Sequence, residues 1–301
     1  MRELDVIGVG ALNYDRLIRV EKIAHEGEEV GVKSISTAPG GSAANTIVGL
    51  TRLGMKTGFI GRVGDDEEGE FILRDLEKEG VDISAIVRGE GKTGLILAFI
   101  DDKGERAMYA YPGVNDEVRI DDSAVSYAKK ARFLHLSSFV GEMSYQTQKQ
   151  LLEKIADAGV SISFAPGMLY AKKGLAEMEQ VIESSYVVFL NKEETKMLTG
   201  KEYQKGAGEL LRKGAEIVAI TLGRDGCYVA SKEESIAVES FPAEVVDTTG
   251  AGDAFAAGFL YGLLNERTLE GCGRLGNKLA SLCITKMGAR DGLPRKNEVV
   301  L

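Results

Sequence analysis

The chain has 301 residues, 44% of them hydrophobic, which is ample for a buried core and for one large α/β domain. Its 37 Lys and Arg against 46 Asp and Glu give a net charge of −9, so no basic face for nucleic acid is advertised. Cys227, Cys272 and Cys283 are odd in number and form no CxxC pair, which points to reduced thiols in a cytosolic setting rather than a disulfide framework. The two histidines, His25 and His135, speak against a histidine-rich zinc site. The opening MRELDVIGVG is too short and too quickly polar for a secretory signal, and no apolar run of about 18 residues predicts a membrane span. The expectation is a soluble cytosolic protein.

In chain order, a β-rich run over Asp5–Gly10 is followed by extended segments over Tyr14–Ala38, broken by a polar loop at His25–Glu28. Ala44–Leu53 has helical period, with Ile47, Leu50 and Leu53 three apart and Gly54 placed as a C-terminal cap. A strand over Gly58–Val63 and a helix over Glu68–Glu79 come next. Gly94–Tyr111 reads as a hairpin with its turn at Asp102–Gly104. Strands are then predicted over Arg132–Ser137, Val160–Phe164, Tyr186–Leu190, Glu216–Thr221 and Cys227–Ala230, with helices over Tyr145–Ala158 and Gln204–Lys213 between them. Such alternation predicts a doubly wound, mostly parallel α/β sheet covered by helices on both faces. The regions 12–38 and 94–111 lack crossover helices, so they are expected to pair into a small β-sheet projecting from a single domain over 1–301. That sheet suits a lid that excludes water from a substrate; an edge sheet or a dimer contact fits the same pattern.

Two motifs are decoys. Gly91-Lys92-Thr93 resembles the end of a phosphate-binding loop, but Ile86 stands where that loop needs glycine and the following LILAFI reads as strand. DVIGVGALN resembles a dinucleotide fingerprint, yet Asn13 replaces its third glycine and no helix follows.

The most informative stretch is Asp247-Thr248-Thr249-Gly250-Ala251-Gly252-Asp253, running into the apolar AFAAGFLYGLL. Phe255, Phe259 and Leu263 make a buried helix of its second half. The small residues before it let the backbone approach a ligand, and the helix start supplies free N–H groups and a dipole suited to a phosphoryl group. A carboxylate in that turn, Asp253, is placed to accept a hydroxyl proton. A glycine-rich turn in which Asp253 only caps the helix fits the same residues.

DTTGAGDAFAAGFL resembles the C-terminal signature of the ribokinase-like family, the carbohydrate kinases of the phosphofructokinase B type. Pro39-Gly40-Gly41-Ser42-Ala43-Ala44-Asn45, with TIVGLTRLG after it, resembles the other signature, and the likeness extends from the GxxNxD opening to TKMGARDGLP. The resemblance implies transfer of the γ-phosphate of ATP, with Mg2+, to a hydroxyl of a sugar or nucleoside. It implies Asp253 as general base and Gly250, Ala251 and Gly252 as an anion hole. Gly40, Gly41 and Asn45 match positions that hold substrate hydroxyls, and Asn13 and Asp15 match the substrate-binding pair of the opening motif. From the residues alone, Asn13 and Asp15 are polar turn residues after a strand.

Asn191-Lys192-Glu193-Glu194 resembles the family's NxxE motif, which implies Glu194 acting on magnesium through water; the same residues form a capping box, with Asn191 as cap and Glu194 at N3. Thr221, Gly223 and Gly226 match the nucleotide-binding turn, and Asn277 matches a position beside the adenine. A lone polar residue in an apolar helix ordinarily faces solvent, which is the plainer reading of Asn277. Asp247, Thr249 and the Gly288-Ala289 turn correspond to places where some members bind a monovalent cation, so the resemblance admits potassium activation. Arg106 in the hairpin is read as meeting a charged or polar substrate, or as a solvated edge-strand charge.

Departures bear on the acceptor. Phe164-Ala165-Pro166-Gly167 has alanine where members often carry Asp or Asn, and Ser42 stands where ribokinases tend to carry lysine. The GGSAAN form resembles nucleoside and ketosugar kinases more closely, and the asparagine opening favours a ribose-containing acceptor, ribose or a nucleoside; a ketosugar, fructose or 2-keto-3-deoxygluconate, is the alternative. The expected partners are that small molecule and, as the resemblance implies, a second copy of the chain joined through the lid, whose strands would also otherwise expose unpaired edges. Neither nucleic acid nor membrane is expected as a partner. A non-catalytic sensor on the same scaffold would have lost the base or metal residue, yet Asp253, Asn191 and Glu194 are all present. A dinucleotide-dependent oxidoreductase is disfavoured by the incomplete fingerprint.

Overall fold

The structure, a computed structural model, describes residues 2–103 and 105–299; Gly104, expected in the hairpin turn beside Arg106, lies outside the described residues. Thirteen strands occur among the described residues. They are β1 (Leu4–Val9), β2 (Asn13–Val20), β3 (Val32–Gly40), β4 (Thr57–Gly64), β5 (Asp82–Gly89), β6 (Gly94–Ile100), β7 (Arg106–Tyr111), β8 (Ala131–Ser137), β9 (Ser161–Ala165), β10 (Val187–Asn191), β11 (Ile217–Thr221), β12 (Cys227–Ser231) and β13 (Ser235–Val238). Nine form one sheet in the order β13-β12-β11-β10-β9-β8-β1-β4-β5, all running in one direction except β12, which pairs antiparallel with both β11 and β13. The other four form a separate sheet, β3-β2-β6-β7, built from the two regions that lack crossover helices.

The central strands are apolar on both faces because helices cover both. Val187–Leu190 and Ile217–Ile220 are buried without interruption. On one side, Ile47, Leu50, Ile72, Phe255, Phe259 and Leu279 belong to one core cluster. On the other, Tyr145, Leu151, Ile155, Val181 and Leu210 belong to a second. The helix Ser42–Arg52 turns Ile47 and Leu50 fully inward, and Gly54 beyond it adopts φ 90, as its capping role requires.

Two strands escape the sequence pattern. β5 is an edge strand, mostly half-exposed, whose mixture of apolar, charged and small residues lacks clean alternation. β13 has four residues and closes the opposite edge. Both decoy motifs resolve as structure: β1 leads into β2 of the small sheet without a helix, and Gly91-Lys92-Thr93 turns into β6. Thr93 is 4% exposed and serves the fold, its hydroxyl donating to Asp66 Oδ1 (2.5 Å) and accepting from Gly64 N (2.9 Å).

The order of the large sheet reverses around β1, which lies between β4 and β8. Ligands in such folds bind beyond the carboxyl ends of the parallel strands near such a reversal. Asn13, Ala165, Asn191 and Thr221 follow or end β1, β9, β10 and β11, so all four stand on that rim.

Candidate active site

The helix Ala251–Leu264 starts on the rim, and its first turn, Ala251-Gly252-Asp253-Ala254, carries no side chain larger than aspartate. Gly250, its N-cap, sits at φ 78, and a Cβ there would lie 2.8 Å from Ala289 Cα, so only glycine lets this loop rest on the Gly288-Ala289 turn. Ala254 N donates to Gly250 O (2.8 Å), and the Gly252 and Asp253 amides project from the helix start.

Asp253, in that turn, is held from the other signature. Ser42 Oγ donates to its Oδ1 (2.7 Å) and Asn45 Nδ2 to its Oδ2 (2.8 Å), both from the helix Ser42–Arg52. Arg290, 5% exposed, fixes which way the Asn45 amide points by donating from Nε to Asn45 Oδ1 (2.9 Å). Its other nitrogens reach Asp75 and Gly40 O. A chain of contacts thus runs Asp75–Arg290–Asn45–Asp253. Burial raises the Asp253 carboxyl; the hydrogen bonds from Asn45 and Ser42 and the Arg290 charge offset part of that, Glu194 adds to it, and the result is about 6.

Asp15, on β2, packs directly on Gly40, where an added Cβ would lie 2.3 Å from the Asp15 carboxylate oxygens. Its Oδ1 is buried and has no hydrogen-bond partner among the described residues. Burial raises its pKa to about 7; Arg290 lowers it and the Asp253 charge raises it. Gly41 caps the helix Ser42–Arg52 at φ 108. Asn13 stands at the start of β2, its Oδ1 accepting from Asn115 Nδ2 (2.9 Å). Asn115, 1% exposed, also accepts from Leu12 N (2.9 Å), which ties this strand start to the body.

Two cavities meet at the first turn of Ala251–Leu264. One, of about 430 Å³, is lined by Asn191, Glu194, Ala165 and Asp253 among others. The other, of about 460 Å³, is lined by Gly226, Phe241, Asn277 and Ile284. Thr221, Gly223, Thr248, Ala251, Gly252 and Phe255 line both, so they are lobes of one cleft. Asn191 and Glu194 form the capping box that their spacing predicts, at 2.8 and 2.9 Å, and both face the first lobe. Burial raises the Glu194 carboxyl, and only its Oε2 is used by the cap.

The solvent-facing reading of Asn277 is overturned. It is 5% exposed, and its Nδ2 donates to Val238 O (3.0 Å) and Glu239 O (2.9 Å) at the end of β13, so the amide is buried because backbone carbonyls satisfy it. The solvated reading of Arg106 fails too: its Nη1 donates to Thr249 Oγ1 and its Nη2 to Asp247 Oδ1. Asp247 is buried, and burial alone would raise it. Hydrogen bonds from Gly288 N, Thr249 and Arg106 outweigh that and hold it at about 2.

Three residues of this assembly carry no site role in the sequence reading. Ser42 stands out there only as a replaced lysine, Arg290 only inside the closing TKMGARDGLP, and Asn115 not at all. An arginine two residues before Gly292-Leu293-Pro294 and a polar residue directly after a double glycine are the signals available, and neither names its partner.

The pfkB family carbohydrate kinase profile matches residues 3–296. An uncharacterized sugar kinase of Archaeoglobus fulgidus is 45% identical over 251 residues, covering 82% of this chain and 99% of that protein. An ATP-dependent ribose-1-phosphate kinase of Halopiger xanaduensis is 32% identical over 287 residues, covering 95% and 94%. The structure of Arabidopsis thaliana ribokinase complexed with ribose and ATP superposes with a TM-score of 0.88 at 25% identity, covering 98% of this chain and 96% of that one. The chain belongs to the pfkB family of carbohydrate kinases. It is a sugar or nucleoside kinase of the ribokinase type, and kinases of this type use ATP with a divalent metal.

Proposed function

We propose that the chain transfers the γ-phosphate of ATP to a hydroxyl of a ribose-containing acceptor, with Asp253 as the base. The observation that carries this is the pairing of Asp253 with Asp15. Two carboxylates of raised pKa share the region beside a helix N-terminus, the Asp253 charge adding to the rise at Asp15, and Asp15 Oδ1 is buried without a donor among the described residues. A polyol supplies that donor, and Asn13, Asn45 and the Gly40-Gly41 backbone present further donors and acceptors around it. The acceptor hydroxyl gives its proton to Asp253 as its oxygen forms the new bond to the γ-phosphorus and the bond to ADP breaks. Gly250, Ala251 and Gly252 hold the transferred group at the helix start, where amides and dipole oppose its charge. Thr221, Gly223 and Gly226 take the nucleotide along the second lobe, where Asn277 holds the loop that covers it.

Magnesium fits this site as an ion carried in by the nucleotide phosphates: the described residues contain no group of three or more His, Cys, Asp or Glu that would hold a metal directly. Glu194, facing the first lobe with Oε1 outside its cap, would hold such an ion through water, and the ion would supply charge neutralisation for the transferred phosphoryl group. The small sheet acts as the lid, presenting Asp15 from its inner face. Its outer face shows Ile35 (63% exposed), Tyr109 (64%) and Tyr111 (54%), and we assign that face to a homodimer contact. Cys227, Cys272 and Cys283 are free and buried, with burial pushing each up to about 12, which suits thiols kept reduced in a cytosol.

The test is an ADP-release screen with Mg-ATP against ribose, ribose-1-phosphate, nucleosides, fructose and 2-keto-3-deoxygluconate. A ribose-containing compound is expected as the best acceptor. A ketosugar preference refutes the acceptor assignment, and activity retained by Asp253→Asn refutes the base.

A further inference from the structure

The small sheet touches the loop that leads into the candidate anion hole at one charged point. Asp247 has a side chain 3% exposed, and its ion-pair partner among the described residues is Arg106, on β7. Asp247 Oδ2 accepts from Gly288 N (2.9 Å), and Oδ1 accepts from Thr249 N (2.9 Å) and Thr249 Oγ1 (2.7 Å). Arg106 spreads its guanidinium over Asp247 Oδ1 and Thr249 Oγ1 together. Register places Arg19, Ile100 and Arg106 in one row across β2, β6 and β7, so they share a face of the small sheet. Arg19 reaches Met287 Sδ (3.6 Å), immediately before Gly288. One row of the small sheet therefore grips both loops, at 247–249 and at 287–288.

A monovalent cation at this place would need the same side-chain oxygens. The donor set does not fit one, because a guanidinium already supplies a single positive charge to Asp247 and Thr249, with a planar fork that holds both at once. The loop gripped in this way continues through Gly250 into the turn that bears Gly252 and Asp253. We propose that Arg106 is a tethered cation: a positioning residue that fills the place of a monovalent ion at Asp247 and Thr249, and so sets the anion-hole turn only when the small sheet lies against the body. The inference rests on the reading of that turn as the phosphoryl site. It makes the native enzyme indifferent to potassium. It also makes removal of the guanidinium leave a buried carboxylate and a void that a small cation can enter.

The experiment compares the native chain, Arg106→Ala, Arg106→Gln and Arg106→Lys in potassium chloride and in tetramethylammonium chloride of equal ionic strength. Turnover and thermal melting are read in both. Native turnover is expected to agree within about twofold between the two salts, screening being matched. Arg106→Ala is expected to lose roughly ten- to a hundredfold in kcat in tetramethylammonium, at or below the low end of what loss of an anion-hole donor costs, because the donors are displaced and not removed. Potassium or added guanidinium should restore severalfold of that loss and raise its melting temperature, while the native chain's stays put. Should Arg106→Ala fail to fold, Arg106→Gln, which drops the charge, carries the test with the same response to potassium, while Arg106→Lys, which keeps a tethered charge, responds less. Severalfold potassium activation of the native enzyme overturns the proposal, and so does an Arg106→Ala or Arg106→Gln chain that matches the native chain in both readouts. Melting needs neither acceptor nor turnover, so a cation-dependent melt in Arg106→Ala upholds the tethered cation even where the acceptor assignment fails.

Discussion

Asp247 and Asp253 stand at the two ends of one short loop, both largely removed from water, and their carboxyls are driven in opposite directions. Asp247 is held at about 2 and Asp253 at about 6. Burial acts in the same sense on both, so it is not the discriminator. Asp247 receives two backbone amides, a hydroxyl and a guanidinium, whereas Asp253 receives one amide and one hydroxyl with Arg290 a step away. The first carboxylate is saturated with donors and holds structure. The second keeps unmet basicity near neutral pH, which a base needs. Asp15, at about 7 with an unpartnered oxygen, lies at the far end of the same scale.

This contrast breaks most sharply at Asp253. Asp253→Asn is expected to lower kcat about 10²- to 10⁴-fold, the usual worth of a positioned base, with the Kd for ATP unchanged in calorimetry. Next comes the charge behind it. In the native chain kcat/KM is expected to fall as pH drops through about 6, because Asp253, as the proposed base, must be ionised. Arg290 lowers the carboxyls of both Asp253 and Asp15, so Arg290→Gln moves that limb to higher pH, and Arg290→Lys moves it less. A pH–rate profile with an unshifted limb would show that Arg290 only packs.

The smallest expected effect is on stability. The folded pKa of Asp15 lies above its unfolded value of 3.8, so protonation stabilises the fold below that value, and the benefit is lost as pH rises through about 7. Asp15→Asn should therefore melt higher than the native chain at pH 8, by a margin that shrinks as pH falls toward 4, while turnover is lost. Equal melting at both pH values would mean that Asp15 is better solvated than its buried oxygen indicates.

The parallel core was legible because strands such as Val187–Leu190 are buried on both faces and read as unbroken apolar runs. The small sheet was legible from two extended regions without crossover helices, whereas β5 and β13 were hidden because edge strands need no regular apolar face. At the site, the residues that announce themselves are those whose local backbone is special: the turn before Asp253, the double glycine, and the Asn191 cap with Glu194 three residues later. The burial of Asn277 was not legible because a buried amide is allowed wherever two carbonyls wait for it, and those lie on another element.

The sequence by itself determined the fold class, the family and the identity of the carboxylate at the helix start, since each rests on periodicity or on contiguous residues. Only the tertiary structure decided that Ser42 and Asn45 hold Asp253, that Arg290 orients Asn45, and that Arg106 closes on Asp247. Those contacts join residues distant in the chain, and the field that sets each carboxyl depends on every donor and charge the fold brings within a few ångströms. No local pattern carries that information.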